Sequence, residues 1–521
     1  KAVEEYFESA AAKTSGSVLI ELLRPDGALA FSSRKTFAGQ GIVPGSAIDF
    51  EVSDVAIQEK AAPWILRTSL SGEVFDQALR EDVLNSGSLS IIALTLLFEL
   101  LRLFCLFLER RGRPEADQSA AEVGEAAGTA DSDHYATLLR AVSFLFGLAM
   151  DLSITFIPLR MAELPSAFFG LPRDVLMSLP VSVEAVTAGL GIFLTGRWLS
   201  RYGAVWPMTI GFALAGLGGL ASALASGAPL FLLARALAGA GYGTSIMAAQ
   251  AYMYKGGGLS GLFAGAFAGS LCGGAAGSML AEQLGFGAAF YVSSAIMFCI
   301  AALPYVWLRR GDSTREAAPA RPAGKTDRLR ILKALGNRQF LAMSLFAILP
   351  ITFLVTGFTK YFLPVYLNRA EVAQADIGRV YMLYCLILIY IGPQLGKVIL
   401  KARRKAPGVA AACLLGALGI LPLAVFDGIL AAVLCALVLG LVDSIAIQAN
   451  AEYLLRQDVT KQLGRSQALS LLNVVEYVGD VAAPVAIGLL ISAFLVRDIA
   501  LWGCFFLLGL TLAFYASRVE E

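Results

Sequence analysis

The run from Pro229 to Met253 reads PLFLLARALAGAGYGTSIMAAQAYM and holds a single charged residue, Arg235. A helix of this length can cross the roughly 30 Å hydrocarbon core of a bilayer. Eleven further apolar runs lie between residues 137 and 518, and one more, from Leu89 to Leu108, precedes them. The sequence therefore predicts a membrane protein with thirteen spans.

The overall composition agrees with that prediction. Of the 521 residues 57% are hydrophobic and 16% charged, and the mean hydropathy is +0.69. Globular domains contain about 45–50% apolar and about 25% charged residues. The excess excludes a soluble enzyme and a disordered scaffold. The net charge of +1 supplies no strong field for polyanions, so we expect no nucleic-acid partner.

The residue types that build metal and redox sites are scarce. His134 is the only histidine, and it lies in a polar stretch, so histidine metal sites and triads are excluded. No pair of cysteines has a metal-ligand spacing, and we expect all seven to be small buried hydrophobes. They are Cys105, Cys272, Cys299, Cys385, Cys413, Cys435 and Cys504. We expect neither a cofactor nor a metal.

The apolar runs and the polar stretches between them divide the chain into six parts. The predicted fold class is an all-α polytopic membrane protein with two six-helix halves, one extra N-terminal helix and a small α+β outer domain. The parts are an α+β domain (1–87), a transmembrane helix (88–109), a cytoplasmic linker (110–136), a first six-helix half (137–310), a central cytoplasmic loop (311–336) and a second six-helix half (337–521).

Basic residues cluster at alternate connections between the spans, for example at Arg309 and Arg310 and between Lys397 and Lys405. By the positive-inside rule, both ends of the twelve-span unit and its central loop are cytoplasmic. Arg110, Arg111 and Arg113 follow the extra helix and give the same orientation independently. The predicted spans 1 to 12 cover 139–161, 174–196, 205–224, 229–253, 259–281, 288–308, 340–366, 377–399, 408–425, 428–453, 467–493 and 497–517.

Residues 1–87 are net acidic and too polar to enter a bilayer, so we expect them to be periplasmic or extracellular. The stretch Val18–Ser33, VLIELLRPDGALAFSS, predicts a strand, a tight turn and a second strand. It resembles the extracytoplasmic sensor domains of bacterial receptors, of PAS/Cache type, and the resemblance implies a small ligand. A small accessory domain without a ligand is the alternative. The sequence leaves open whether a membrane segment precedes Lys1.

The two six-helix halves resemble each other. DLSITFIPLR at 151–160 in span 1 parallels GFTKYFLPVY at 357–366 in span 7, and both place Phe-x-Pro at the outer end. Parallel repeats of this kind let two rigid halves rock around a site at the membrane midplane.

Four local patterns also lie in the first half. The loop after span 2 reads GRWLSRYG and includes Gly196, Arg197, Arg201 and Gly203. Span 4 carries LLARALAGAGYG at 232–243, and the start of span 6 reads AEQLGFGAAF at 281–290. Span 5 has glycine at every fourth position, on one face that admits close helix approach. These are Gly265, Gly269, Gly273 and Gly277.

Together these patterns resemble the major facilitator superfamily over residues 137–518. The resemblance implies a twelve-helix transporter fold, and it implies that Arg235 takes part in proton coupling. The glycine ladder resembles a motif associated with antiporters. Ser200 stands where the family usually has aspartate, and Gly273-Gly274 where it has Gly-Pro. The usual charge lock between helices and the antiport motif are therefore incomplete in this sequence.

An ionisable side chain inside the bilayer is a functional candidate by default. Asp151 in span 1 and Arg235 in span 4 form our first predicted proton-coupling pair. Glu476 and Asp480, one turn apart in span 11, form the second, with Lys360 of span 7 as a possible partner. For the first pair the alternative is a static ion pair that holds helices together, and for the second it is that one of the two acids faces a polar contact between helices. Further predicted cavity residues are Glu184, Asp443, Thr356, Tyr252, Tyr384, Gln448, Asn450 and Asn473.

We therefore expect a secondary transporter of the bacterial inner membrane that moves a small solute, coupled to protons and with antiport slightly favoured. The alternative is a signalling receptor in which the twelve-span unit acts as a transducer towards a separate cytoplasmic partner. An integral-membrane enzyme lacks a catalytic cluster at the membrane face. The remaining expected partner is the lipid bilayer.

Overall fold

The computed structural model describes residues 18–23, 29–32, 55–57, 64–70, 72–112, 126–165, 170–254, 259–308 and 336–517. The chain divides into two compact units, Lys1–Ile91 and Ile92–Glu521. The predicted turn at residues 24–27, most of the central loop and the basic residues Arg309, Arg310 and Arg113 lie outside the described residues.

The first unit contains a four-stranded antiparallel sheet with the order β2-β1-β4-β3. The strands are β1 Val18–Leu23, β2 Leu29–Ser32, β3 Val55–Ile57 and β4 Trp64–Leu70. The predicted pairing of the first two strands is confirmed, because Leu22 lies opposite Phe31. The sequence pattern did not predict β3 and β4. A sheet of this kind occurs in many folds, so the PAS/Cache assignment stays a prediction.

The extra helix is longer than expected. One helix, the N-terminal helix, runs from Gly72 to Gly112 and so begins well ahead of the predicted transmembrane helix at 88–109. Its apolar, membrane-length part is Leu79–Arg102. Residues 126–136, whose composition predicts a linker, are the first part of the helix of span 1 instead.

The twelve-span unit follows the predicted order. Its helices are Ala126–Asp151 with Ile157–Glu163 (span 1), Arg173–Tyr202 (2), Val205–Leu224 (3), Ala228–Tyr254 (4), Leu259–Leu284 (5), Phe286–Leu303 with Pro304–Leu308 (6), Arg338–Met343 through Leu363–Arg369 (7), Gln374–Tyr390 with Gly392–Lys401 (8), Ala406–Gly419 with Pro422–Val425 (9), Gly428–Arg456 (10), Arg465–Ala493 (11) and Val496–Ser517 (12). A short helix, Asp458–Leu463, joins spans 10 and 11.

Among the described residues, twelve helices are long and apolar enough to cross a membrane. The N-terminal helix is one of them, and span 1 is the predicted span that this count omits. Span 1 is interrupted after Asp151, and its outer piece begins with Pro158 in its first turn. Proline has no N–H to donate to the preceding turn, so a helix breaks ahead of it. Buried turns replace the regular helix between Leu152 and Phe156.

Span 7 repeats this construction in the second half. Its outer piece, Leu363–Arg369, has the same length as Ile157–Glu163 and likewise carries its proline, Pro364, in the first turn. Before that piece the helix passes through a π-helical turn, Phe358–Phe362. The Phe-x-Pro parallel in the sequence therefore corresponds to a helix irregularity at the same place in each half.

Packing between the spans determines which side chains meet. Span 5 packs on span 1 and span 8, and span 2 packs on span 4 and span 11. Spans 5 and 2 thus join the first half to the second. Tight apolar packing fills the first half around Phe146, Phe212 and Met208.

Candidate functional site

Arg235 is buried, with 3% of its side chain exposed, and its partner is Glu184 of span 2. Its Nη2 atom lies 2.6 Å from Glu184 Oε2, and its Nε atom lies 3.2 Å from the same oxygen. Gly239, one turn further along span 4, makes this contact possible. A Cβ atom there would lie 2.2 Å from the Glu184 carbonyl oxygen. The ion pair is thus formed by spans 2 and 4, whereas the sequence paired Arg235 with Asp151.

Asp151 ends the helix of span 1 at the point where the span breaks. The Tyr381 hydroxyl of span 8 donates to its Oδ2 atom at 3.4 Å, and Ser270 of span 5 lies beside it. Asp151 is also within electrostatic range of Lys360 and Glu184. The carboxylate therefore contacts groups of both halves.

The second half contributes two acids that accept hydrogen bonds from hydroxyl groups. Thr356 Oγ1 donates to Asp480 Oδ1 at 2.6 Å, which links span 7 to span 11. The Tyr384 hydroxyl donates to Asp443 Oδ2 at 2.6 Å, which links span 8 to span 10. Thr356 and Tyr384, which the sequence proposed only as cavity residues, thus form hydrogen bonds with two of the predicted acids.

Lys360 lies in the π-helical turn of span 7, a type of irregularity that often occurs at functional sites. It is within electrostatic range of Asp480, Asp151 and Glu184, and its charge interaction with Asp480 is the strongest of the three. Within the part of the chain that the structure describes, no carboxylate lies within 4.0 Å of its ammonium group. Lys360 therefore faces acids of both halves without a fixed partner.

Glu476 completes the group. It is within electrostatic range of Asp480 and Asp443, and it forms no hydrogen bond with any other described residue. We define the central charged cluster by its seven residues, of which only Arg235 is fully buried. They are Asp151, Glu184, Arg235, Lys360, Asp443, Glu476 and Asp480. The side chains of the other six are partly exposed.

The two halves are also joined at the ends of the spans that the sequence predicts to be outer. Asp174 of span 2 forms an ion pair with Arg369, and its backbone oxygen accepts a hydrogen bond from the Tyr361 hydroxyl. Glu282 of span 5 accepts a hydrogen bond from the backbone N–H of Ala375 at 2.6 Å. We call these five residues the outer latch.

Further contacts between the halves lie in the same outer part. Ser182 Oγ donates to the Val481 carbonyl oxygen at 2.8 Å. Gly488 packs on Asp174, and a Cβ atom there would lie 2.9 Å from the Asp174 carbonyl oxygen. A Cβ on Gly274 would lie 2.3 Å from the Tyr381 ring. Contact between the halves is thus close where the outer ends meet.

Four of the predicted cavity residues are not members of the central charged cluster. Gln448 packs its side chain against Gly396 of span 8, 3.2 Å from an added Cβ there. Tyr252 belongs to the apolar core of the first half. Asn473 is exposed on span 11. Asn450 is 3% exposed, and its buried Oδ1 atom has no hydrogen-bond partner among the described residues.

The glycine ladder of span 5 lies directly against the backbone of span 1. A Cβ atom on each glycine would approach a carbonyl oxygen of span 1 to 2.4 Å or less. The pairs are Gly265 with Arg140, Gly269 with Phe144, Gly273 with Leu148 and Gly277 with Leu152. Both sets repeat every four residues, so the two helices stay in register up to the break after Asp151.

The glycines of the loop motif after span 2 do not serve close packing between helices. A Cβ atom on Gly196 would meet nothing within 4 Å. Gly203 ends the helix with a φ of 75°, a conformation that favours glycine. The Arg201 guanidinium lies 5.5 Å from the Tyr202 ring centroid. The side chain of Arg197 lies outside the described residues.

The sequence analysis did not identify the main partner of Glu99 in the N-terminal helix. Arg102, one turn further along the same helix, forms an ion pair with Glu99 at 3.6 Å. The closer partner is Arg140 of span 1, whose Nη2 atom lies 2.7 Å from Glu99 Oε1. Arg140 is an ionisable residue inside a predicted span, so the default rule for such residues would have identified it.

The sequence profile of the Major Facilitator Superfamily matches residues 139–484. An auto-inhibited peptide transporter of the POT family has 13% identity and a TM-score of 0.56, with 74% of this chain and 97% of that chain covered. The nucleoside transporter NupG has 15% identity and a TM-score of 0.55, with 74% and 98% covered.

Comparison with curated protein sequences finds no match. The two solved structures share the fold of this chain. Their sequence identities are too low to show a shared substrate or mechanism. The profile, by contrast, covers well over half of the chain. It covers the first half and the second half as far as residue 484, and it includes all seven residues of the central charged cluster. The chain therefore belongs to the major facilitator superfamily, and it is a multi-pass membrane protein and a secondary transporter rather than an enzyme.

Proposed function

We propose that this protein moves a small solute across the bacterial inner membrane by alternating access and couples that movement to protons. The observation that carries the proposal is the central charged cluster. Its five carboxylates and two cations come from both halves, and each lies within electrostatic range of at least one other member of the cluster. An ionisable group inside a membrane protein is retained at a cost and marks an ion or substrate pathway.

Asp151 and Asp480 are the proton carriers in this proposal. Each accepts a hydrogen bond from a neutral hydroxyl and lies near Lys360, so protonation of either changes the balance of charge at that lysine. The ion pair between Arg235 and Glu184 holds spans 2 and 4 together beside them. It biases the charge of the cluster without itself exchanging protons.

The outer latch supports alternating access. In the proposed cycle, the bonds of Asp174 and Glu282 to the second half hold the outer side closed. Rocking of the halves breaks them and opens the cluster to the outside. The described hydrogen bonds and ion pair between the halves lie towards the predicted outer ends of the spans. This position supports the assignment of the structure to the state that opens towards the cytoplasm.

We also propose that residues 1–87 form an extracytoplasmic accessory domain with a regulatory role. Antiport is our proposed direction of coupling. The support for regulation is the buried contact of Glu99 with Arg140, because it ties the N-terminal helix to span 1, which carries Asp151.

The test uses the full chain reconstituted in liposomes that contain a pH-sensitive dye. Dipeptides, nucleosides, sugars, organic anions and organic cations are added in turn. We expect one class to move protons in the wild type and to lose that coupling in Asp151→Asn and Asp480→Asn. The matched control is Asp458→Asn, an exposed acid outside the spans. Equal proton movement in all four proteins would refute the proton-coupling assignment.

A further inference from the structure

Spans 5 and 8 cross along a line of contacts between the two halves, which we call the 5–8 crossing. Three residues of span 5, one turn apart and therefore on one face, meet three residues of span 8. The pairs are Gly274 with Tyr381, Ser278 with Gly378 and Glu282 with Ala375. Because each helical residue adds about 1.5 Å, the crossing extends over about 12 Å of span 5 and ends at the outer latch.

At the inner end of the crossing, the Tyr381 ring occupies the space beside Gly274. A Cβ atom on Gly274 would lie 2.3 Å from this ring, so a larger residue would displace it. From this position the buried Tyr381 side chain donates a hydrogen bond to Asp151 Oδ2 at 3.4 Å. Gly274 stands where the motif associated with antiporters has proline. This departure from the motif therefore lets a side chain of the second half reach the acid at the break of span 1.

The rest of the crossing connects this bond to the outer latch. In its middle, the buried Ser278 hydroxyl lies 2.6 Å from the hydroxyl of Thr155, which belongs to the broken part of span 1. At its outer end, span 8 begins with Ala373, whose side chain cannot accept a hydrogen bond from the first turn of the helix. Glu282 supplies an acceptor from the other half, at 2.6 Å from the Ala375 nitrogen. The same two helices thus carry both the Asp151 contact and part of the latch.

The strength of the Tyr381 bond depends on the charge of Asp151, since a hydrogen bond to a carboxylate is roughly twice as strong as one to a neutral group. Ser270, the neighbour of Asp151 on span 5, does not titrate. The titratable groups within electrostatic range of Asp151 lie on four other spans. They are Glu184 (span 2), Tyr242 (4), Lys360 (7) and Tyr381, Tyr384 and Cys385 (8). Of these, Lys360 is the one cation that attracts Asp151 towards the second half.

We propose that Tyr381 is a positioning residue that keeps the outer side closed while Asp151 is charged, and that the 5–8 crossing transmits its release to the outer latch. This inference rests on the proposed function and adds the contact through which the proton controls access. When Asp151 takes up a proton, its bond to Tyr381 weakens and the outer ends of the halves separate more readily. The fraction of molecules open to the outside therefore rises as the pH falls.

The experiment measures the distance between the outer ends of the two halves in the reconstituted full chain. Spin labels are attached to Leu224→Cys and Val425→Cys in a background without the native cysteines. Both side chains are exposed, at the outer ends of spans 3 and 9. Distance distributions between about pH 8.5 and about pH 4.5 give the ratio of open to closed molecules. We expect this ratio to rise about fivefold in the wild type as the pH falls.

Two variants remove the contact in different ways. Tyr381→Phe keeps the ring beside Gly274 and loses only the hydroxyl, whereas Gly274→Ala keeps the hydroxyl and displaces the ring. In both, the ratio should be raised at every pH and should change about twofold or less across the range. The matched control is Tyr390→Phe, an exposed tyrosine of span 8, which should respond as the wild type does. Thermal unfolding of each variant is recorded, and Gly274→Ala decides the test if Tyr381→Phe does not fold.

Three results would overturn the inference. A change larger than about twofold in the deciding variant would assign the pH response to the charge of Lys360 instead of the Tyr381 hydroxyl. A wild-type response in Asp151→Asn would show that another group titrates. No response in the wild type would show that the outer side does not sense protons. In each case, proton movement in the liposome test leaves the proposed function in place, and its absence there would overturn that function separately.

Discussion

Weakening the outer latch should shift this protein towards a state that is open to the outside. The change is Tyr361→Phe combined with Arg369→Gln, which removes both groups that reach Asp174 from span 7. Neither substitution alters the charge of the central cluster. Contacts inside each half are also kept, so the perturbation acts on the interface between the halves.

The size of the shift follows from the two bonds. The Arg369 side chain is 50% exposed, so its ion pair with Asp174 contributes about 0.5–1 kcal/mol. The Tyr361 hydroxyl donates to a backbone oxygen in a more buried position, and a bond of this kind contributes about 1 kcal/mol. Together they contribute roughly 1.5–2 kcal/mol, which corresponds to roughly a 10- to 30-fold change in the ratio of the two states.

The assay reports access to Ser182, which lies between the halves and donates to Val481. Ser182→Cys is introduced into a background without the native cysteines, and a membrane-impermeant maleimide is added from outside. We expect faster labelling in the double variant by about the factor above. Lys461→Gln is the matched control, because its ion pair with Asp458 stays within one short helix. Equal labelling rates in the double variant and the control would refute the latch.

Three further outcomes are expected. Gly277→Ala should destabilise the purified protein by about 1–3 kcal/mol, because its Cβ would lie 1.8 Å from the Leu152 oxygen. An added Cβ on Gly189 would meet nothing within 4 Å, so Gly189→Ala should leave the thermal unfolding temperature unchanged or raise it. Equal losses of stability in Gly277→Ala and Gly189→Ala would contradict the packing argument. Glu99→Gln should loosen the N-terminal helix and speed hydrogen exchange there, and exchange rates equal to wild type would argue against the contact with Arg140. Glu184→Gln leaves Arg235 buried without its counter-charge and should cost about 3–5 kcal/mol in stability, which Glu184→Gln combined with Arg235→Leu should partly restore in unfolding experiments.

The sequence alone determined the class of molecule and the order of its parts. The apolar runs predicted the spans, since a helix in lipid needs no partner outside itself to satisfy its backbone. The glycine spacing in span 5 and the Phe-x-Pro repeat in spans 1 and 7 indicated where helices approach closely and where they break. Such features depend on residues a few positions apart along the chain, so they can be recognised from the sequence.

Only the tertiary structure decided which charges meet. Arg235 could have paired with Asp151 as well as with Glu184, because both acids lie in the middle of predicted spans. Gly239 lets spans 2 and 4 approach until the Glu184 carboxylate reaches the guanidinium. The same holds for Glu99, whose partner Arg140 is 41 residues away. Ion pairs depend on distances between helices, and those distances are determined by the packing of the whole bundle rather than by the spacing along the chain.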